Sequence, residues 1–319
     1  MLKEMVIING IENLTEKYRH VVLTIGNFDG VHIGHQKIFA NVRESAEAAG
    51  GTAMAVTFDP HPLKIITPER RVRILTPFAE KARLMEFFGI DVFLSLHFDR
   101  EFANMTPDDF IRNVIVDRIG AKEVIVGHNY SFGRGKKGGT SLLRRKSRKY
   151  GFSFRVIRYA RLYGEVASSS RIRSLIARGR VCESSWLLGR PYMIEGMVVK
   201  GAGRGGSMLG VPTANIETNN ELVPKEGVYA VKACLKERVL DGVINIGRNP
   251  TFGEQSVSYE VHLFDVSENI LGENLRVNFV DRIRDEKRFR DVKMLHDSIM
   301  RDIARAKEIL STKRYPRLI

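Results

Sequence analysis

The chain has 319 residues, enough for two domains that each bury their own core. Its composition, 43% hydrophobic and 28% charged, is typical of a globular protein, and no apolar run approaches the roughly 20 residues of a membrane helix. The net charge of +14 is the unusual bulk feature. The two cysteines, Cys182 and Cys234, form no CxxC pair and the N-terminus shows no apolar leader, so we expect a cytoplasmic protein without disulfides or zinc fingers.

The first half alternates strand-like and helix-like segments. A β-branched run at 21–25 predicts a buried strand, and apolar residues at helical spacing predict a helix over 37–49 that ends at Gly50. The same patterns continue, predicting strands at 54–58, 92–96, 124–126 and 152–157 and helices at 78–88 and from Thr106 to about 119. This alternation is typical of an α/β fold, with a parallel sheet covered by helices on both faces.

A glycine-rich turn, GNFDGVHIGH, joins the first of these strands to its helix. Gly26, Gly30 and Gly34 let a ligand approach the backbone, and the start of the helix offers unpaired N–H groups to an anion. His32 and His35 add donors for a phosphate whose charge changes in a transition state. A metal site would need three or four ligands, and no third histidine or cysteine lies nearby in sequence. We therefore predict a phosphate site, with histidines that only cap the helix as the alternative.

A basic run lies between Gly133 and Gly164, where eleven lysines and arginines occur without an acidic residue. Such a run suits nucleic acid, an anionic membrane surface or a polyphosphate ligand, and a solvated helix face is the plain alternative. Its aromatic residues could stack on bases, but Phe152, Phe154 and Val156 alternate as on the inner face of a strand. The pattern therefore favours a phosphate-bearing small molecule over nucleic acid.

The pattern changes near residue 187. From Tyr192 onward the segments predict strands without intervening helices, at 193–200, 228–235, 239–246, 258–264 and 275–281. A closing helix carries apolar residues on one predicted face, namely Phe289, Val292, Leu295, Ile299, Ile303 and Leu310. We thus predict two domains, 1–186 with a parallel α/β sheet and 187–319 with an antiparallel β-barrel and a terminal helix.

Four motifs follow one another in the first half: GNFDGVHIGH at 26–35, TFDPHP at 57–62, VGHNYSFG at 126–133 and SSSRIR at 168–173. They resemble the nucleotidyltransferase superfamily and, within it, the FAD synthetase module of bacterial bifunctional riboflavin kinase/FAD synthetases. The resemblance implies attack of the FMN phosphate on the α-phosphorus of ATP, with His32 and His35 as catalytic residues. It assigns to nucleotide and flavin binding Gly26, Asn27, Phe28, Asp29, Gly30, His61, Asn129, Ser168, Ser169, Ser170 and Arg173.

Three further motifs lie in the second half: GAGRGGSMLGVPTANI at 201–216, NIGRNPTFG at 245–253 and YEVHLFD at 259–265. They resemble riboflavin kinases, including the PTAN motif at 212–215. Strand alternation separates Glu260 from Tyr259 and Val261, and the resemblance makes Glu260 the base for the riboflavin hydroxyl. Thr213 and Asn215 offer hard oxygen ligands for Mg²⁺. The resemblance assigns to ligand binding Gly201, Gly203, Arg204, Gly210, Pro212, Arg284 and Glu286.

Two other function classes fit part of this pattern. HIGH also suggests a class I aminoacyl-tRNA synthetase fragment, but a KMSKS-like segment is absent and PTAN is present. An RNA-binding or regulatory protein built on a decayed enzyme would have lost the polar residues of the motifs, and these are all retained. The expected ligands are therefore riboflavin, FMN, FAD and ATP with Mg²⁺. Neither a membrane nor nucleic acid is expected as a partner, and the sequence leaves the oligomeric state open.

Overall fold

The computed structural model describes residues 4–162, 164–200, 211–248, 257–287 and 289–319. The chain divides into two compact units, Met1–Ser169 and Ser170–Ile319. The predicted boundary between 186 and 187 lies within the second unit, near the end of a helix (Val181–Leu188) that packs against the barrel of this unit. That boundary stays a prediction.

Strands and helices alternate in the first unit, as predicted. In chain order its elements are β1 (Val6–Asn9), β2 (Val21–Ile25), α1 (Ile33–Ala48), β3 (Thr52–Asp59), α2 (Pro62–Ile66), α3 (Phe78–Phe87), β4 (Val92–His97), α4 (Arg100–Asn104), α5 (Pro107–Asp109, continued by a π-helix over Phe110–Arg118), β5 (Glu123–Gly127), β6 (Ser131–Phe132), β7 (Gly138–Gly139), α6 (Thr140–Tyr150), β8 (Ser153–Ile157), β9 (Arg161–Leu162) and β10 (Glu165–Val166). Among the described residues, six strands form one parallel sheet in the order β1-β4-β3-β2-β5-β8.

The centre of this sheet is apolar on both faces. All five residues of β2 are buried, and Val21, Leu23 and Ile25 share one core with side chains of β3, β4, β5 and the π-helix. Continuous burial is what helices on both faces of a parallel sheet produce. Strand β1 was not predicted because it has only four residues and lies at the edge of the sheet, where Val6 and Ile7 are exposed.

The strand order reverses at β2, which lies between β3 and β5. In open parallel sheets, ligands bind outside the carboxyl ends of the strands at such a switch point. The turn after β2 is the predicted phosphate site, and the loop after β5 carries Asn129. The topology therefore brings these two segments to one edge of the sheet.

The second unit is a barrel preceded by two helices and followed by one. Its elements are α7 (Ser169–Ala177, which begins at the last residue of the first unit), α8 (Val181–Leu188), β11 (Tyr192–Val199), β12 (Ala214–Thr218), β13 (Gly227–Leu235), β14 (Arg238–Arg248), β15 (Val257–Leu263), β16 (Asn274–Arg284) and α9 (Val292–Thr312). Six strands of the described residues close the antiparallel barrel in the order β11-β12-β15-β14-β13-β16, and β16 pairs with β11. The barrel confirms the prediction, although β12 was missed. No helix in the described ranges is long and apolar enough to cross a membrane.

The predicted apolar face of the last helix is wrong over its first turns. Phe289 precedes α9, and Val292 is 63% exposed. The polar residues Ser298 and Asp302 are buried instead. Asp302 can be buried because its carboxylate accepts hydrogen bonds from Arg284 of β16 at 2.7 and 3.0 Å. A buried ion pair therefore replaces part of the apolar contact that periodicity predicts.

Candidate active sites

The turn after β2 has an unusual backbone. Phe28 and Val31 have positive φ angles of 47° and 41°, on either side of Gly30 at 88°. This left-handed region is unfavourable for a β-branched residue such as valine, so the turn needs support from its surroundings. Part of that support is local, because the side-chain amide of Gln36 donates to the carbonyl of Val31 at 2.8 Å.

The two predicted catalytic histidines lie together at the start of α1. His32 is the N-cap residue, and its ring stacks on that of His35 with 3.6 Å between centroids. His32 is 7% exposed, and Phe28 meets the His35 ring edge to face. Gly34 makes room for this stack, because a Cβ at this position would lie 3.0 Å from the His32 ring. Two imidazoles and the first N–H groups of a helix thus form one cluster of donors suited to an anion.

Asp29 is held at the base of this turn by backbone groups. It is 1% exposed, and its Oδ1 accepts from the N–H groups of Leu75 and Thr76 at 2.9 and 3.3 Å. Its carbonyl accepts from the hydroxyl of Ser169, the last residue of the first unit, at 2.8 Å. Asp29 therefore supports the turn through these bonds. Ser168, Ser170 and Arg173 lie at or near the start of α7, and Ser170 is exposed.

Asn27 and His61 also have defined contacts. The carbonyl of Asn27 accepts from the Thr57 hydroxyl at 3.3 Å and from the Lys81 ammonium at 3.1 Å. His61 is 5% exposed and caps α2, since its Nδ1 accepts from the N–H of Leu63 at 3.2 Å. Sequence reasoning did not assign Lys81, which is a buried lysine in a segment read only as a helix.

A cavity of about 650 Å³ opens beside the loop after β5. Asn129 lines it together with Lys136, Lys137 and Arg145 and the first turn of α6. Tyr130 also lines it, and the phenol hydroxyl is buried without a hydrogen-bond partner among the described residues, so burial raises its pKa. Part of the basic run therefore faces a cavity that contains a predicted binding residue.

The polar residues of the predicted kinase site meet through strand register. Glu260 of β15 is paired with Asn215 of β12 on one side and with Asn245 of β14 on the other. Residues paired directly across neighbouring strands project to the same face of a sheet. Glu260 therefore lies between two amide side chains. Asn245 belongs to a motif quoted from the sequence, but sequence reasoning did not assign it to the site.

Glu286 approaches this group from the segment after β16. A Cβ at Gly247 would collide with Oε1 of Glu286 and lie 3.4 Å from Nδ2 of Asn245, so the Glu286 carboxylate reaches over Gly247 toward Asn245. Burial raises the pKa of Glu260, and the negative charge of Glu286 raises it further. A carboxylate with a raised pKa is a stronger proton acceptor than an ordinary glutamate.

The PTAN segment leads into β12. The Pro212 carbonyl accepts a hydrogen bond from Nδ1 of His262 at 2.8 Å, and Thr213 is exposed. The hydroxyl of Thr213 and the amide oxygen of Asn215 are hard ligands of the kind that Mg²⁺ prefers, so this donor set fits the ion. No group of three His, Cys, Asp or Glu side chains able to hold a metal occurs in the part of the chain that the structure describes. Predicted ligand-binding residues outside the described ranges are Gly201, Gly203, Arg204 and Gly210.

Arg284 connects the barrel to the terminal helix. Its guanidinium binds the Asp302 carboxylate, and it also donates to the carbonyl of Asp285 at 2.9 Å. Its cation lies 5.7 Å from the centre of the Phe289 ring. These contacts fix the end of β16, two residues before Glu286.

Comparisons with known proteins match the two parts of the chain to two different families. The family model of FAD synthetase matches residues 14–171, and that of riboflavin kinase matches residues 188–310. The bifunctional riboflavin kinase/FMN adenylyltransferase of Escherichia coli (strain K12) is 36% identical over 306 residues, which cover 95% of this chain and 97% of that protein. Its counterpart of the same name in Haemophilus influenzae is 33% identical over 97% of this chain and 100% of that protein.

One solved structure also matches almost the whole chain. It is described as the crystal structure of a macrolide-efflux protein from Streptococcus pneumoniae. It superposes with a TM-score of 0.87 at 28% sequence identity, over 97% of this chain and 100% of that chain.

Proposed function

The chain belongs to the family of bifunctional riboflavin kinase/FMN adenylyltransferases, and on this premise we propose which residues carry each of its two reactions. The region matched by the riboflavin kinase model phosphorylates riboflavin to FMN. The region matched by the FAD synthetase model adenylylates FMN to FAD and releases pyrophosphate. Both reactions use ATP as the donor.

His32 and His35 carry adenylyl transfer in the first unit. An oxygen of the FMN phosphate attacks the α-phosphorus of ATP, and the bond to pyrophosphate breaks. No covalent enzyme intermediate is needed, so positioning and preorganised donors lower the barrier. The observation that supports this assignment is the stack of the two rings at the N-terminus of α1, because it brings both imidazoles to the first N–H groups of a helix, where a phosphate would bind.

FMN occupies the cavity beside Asn129. Its volume of about 650 Å³ lies within the range of small-molecule sites. Lys136, Lys137 and Arg145 supply positive charge that attracts a phosphate-bearing ligand and explains part of the basic run without nucleic acid. The cavity also follows β5, at the edge of the sheet where the phosphate site begins.

Glu260 carries phosphoryl transfer in the second unit. It accepts the proton of the riboflavin 5′-hydroxyl as that oxygen attacks the γ-phosphorus of ATP, and the bond to ADP breaks. Its position between Asn215 and Asn245 supports this role, because the two amides can orient the carboxylate. Thr213 and Asn215 would hold Mg²⁺, which neutralises charge on the transferred phosphoryl group when it is bound.

The proposed boundary at 186/187 and the cytoplasmic location have separate support. The boundary falls between the regions matched by the two family models, 14–171 and 188–310. The location rests on cysteine usage, because the sequence holds only Cys182 and Cys234 and no CxxC pair.

A product assay tests the proposed function. The purified chain with riboflavin, ATP and Mg²⁺ should make FMN first and FAD after it, and chromatography separates the two. Chelation with EDTA should stop FMN formation, and added Mg²⁺ should restore it. A chain that makes FMN under EDTA would contradict the magnesium assignment, and a chain unable to convert added FMN to FAD would contradict the role given to the first unit.

A further inference from the structure

Lys81 is a buried lysine that has no part in the two reactions derived above. It lies in α3 and is 7% exposed. Lysine is almost never buried this deeply unless other groups compensate its charge. Its Nζ donates a hydrogen bond of 3.1 Å to the carbonyl of Asn27, in the turn that carries the catalytic histidines.

Two carboxylates of the same site act on this ammonium. Asp29 and Asp59 both attract it, and they partly offset the burial that lowers the pKa of Lys81. The neighbouring acid on its own helix is engaged elsewhere, because Glu80 binds the guanidinium of Arg83 through two hydrogen bonds of 2.8 Å. The charge of Lys81 is therefore directed at the turn after β2 and at the end of β3.

Lys81 thereby links three segments of the first unit. The Asn27 carbonyl receives a second hydrogen bond of 3.3 Å from Thr57 of β3, and Asp59 is the last residue of that strand. The turn beyond Asn27 includes the positive φ angles of Phe28 and Val31, and such a backbone persists only when its surroundings hold it. The Lys81 ammonium, a charged donor on a packed helix, stabilises this backbone at the start of the turn.

We propose that Lys81 is a positioning residue of the adenylyl-transfer site, an inference that rests on the function proposed for the first unit. Its ammonium fixes the Asn27 carbonyl and so keeps the turn in the conformation that presents His32 and His35 to the phosphates. It also balances the charges of Asp29 and Asp59, which would otherwise repel the phosphates of ATP. Lys81 acts through the turn, not on the substrate.

The first test removes the charge of Lys81 and keeps most of its side-chain volume. In Lys81→Met, kcat for FAD formation from added FMN should fall about 10²-fold, the loss that a small misplacement of catalytic groups causes. The riboflavin kinase rate of the same chain should stay unchanged. Lys122→Met is the matched control, because Lys122 is an exposed lysine just before β5, and both of its rates should equal those of the wild type.

A second variant separates positioning by charge from simple packing. Lys81→Arg retains a cation that does not lose its proton in the accessible pH range. It should recover part of the rate that Lys81→Met loses. The wild-type rate of FAD formation should fall at high pH as Lys81 deprotonates, at a lower pH than an ordinary lysine because burial lowers its pKa. In the arginine variant this alkaline limb should move to higher pH, which a packing role would not cause.

Three results would overturn the inference. The first is a Lys81→Met chain with the wild-type kcat for FAD formation. The second is a Lys81→Arg chain whose alkaline limb coincides with that of the wild type. The third is a wild-type chain that makes FMN yet cannot convert added FMN to FAD, which would overturn the function proposed for the first unit and this role with it.

Discussion

The two proposed phosphate sites of this chain are built in opposite ways. In the first unit, a turn with positive φ angles delivers two imidazoles to a helix N-terminus. In the second unit, regular pairing of β12, β15 and β14 brings Asn215, Glu260 and Asn245 together. The first site depends on a backbone conformation that must be supported, whereas the second depends on strand register.

The two sites also differ in the groups that they offer. The first offers donors, namely imidazoles and N–H groups, and these suit negative charge that shifts among phosphate oxygens. The second offers the carboxylate of Glu260, a proton acceptor whose pKa is raised by burial and by the negative charge of Glu286. A site that removes a proton needs a base, but it then needs a cation to meet the ATP phosphates. Thr213 and Asn215, the Mg²⁺ ligands proposed for the second unit, would supply that cation.

The largest expected effect tests whether the two sites are independent. Glu260→Gln removes the proton acceptor with little change in shape, so FMN formation should fall about 10³-fold. FAD formation from added FMN should stay at the wild-type rate, measured by chromatography on the same protein. Glu217→Gln, at an exposed position of β12, is the matched control. Loss of both activities in a folded Glu260→Gln chain would show that the sites are coupled.

The reciprocal change tests the donor site. His32→Ala combined with His35→Ala removes two donors to the phosphates, and the rate of FAD formation should fall by about 10²-fold or more. FMN formation should be unaffected. His97→Ala, at an exposed position at the end of β4, is the control. If the double variant made FAD at the wild-type rate, the stacked histidines would be only a helix cap.

A smaller effect is expected when the ion pair between Arg284 and Asp302, which supports the site of the barrel, is weakened. Asp302→Asn removes the charge that holds Arg284 and should lower the free energy of unfolding of the second unit by about 2 kcal/mol. Trp186, the single tryptophan, lies in α8 and reports this unfolding by fluorescence in urea. Asp297→Asn, exposed on the same helix, is the control. An unchanged urea midpoint would mean that apolar contacts alone hold α9.

The smallest expected effect is on the pH dependence of FMN formation, which tests whether Glu286 influences Glu260. Burial and Glu286 raise the pKa of Glu260, and protonated Glu260 cannot accept a proton. The rate of FMN formation should therefore fall, as the pH drops, at a higher pH than an ordinary glutamate would cause. Glu286→Gln removes the like charge, so this acid limb of kcat/KM should move to lower pH. A limb that stays in place would mean that burial alone raises the pKa of Glu260.

Most elements of the fold could be predicted from local patterns. The predicted strand at 21–25 matches β2 at both ends, and the five predicted strands of the barrel match within a few residues. The misses have local causes. Strand β1 has only four residues and exposes Val6 and Ile7 at the edge of the sheet, and β12 begins two residues after Pro212. Along α9, Asp302 is buried by an ion pair with a residue of β16, which helical periodicity cannot reveal.

The sequence by itself determined the chemistry that the chain carries, because GNFDGVHIGH, PTAN and the strand of Glu260 are contiguous motifs whose residues lie within a few positions of one another. Tertiary structure alone decided which groups complete each site. Asn27 and Lys81 are 54 positions apart, and Asn245 pairs with Glu260 only through the register of two strands. Helices form through hydrogen bonds between near neighbours, whereas strand pairing and other contacts between distant residues depend on how the whole chain packs. The burial of Lys81 against this turn therefore has no signature in the sequence, and the positioning role proposed for it rests on the fold.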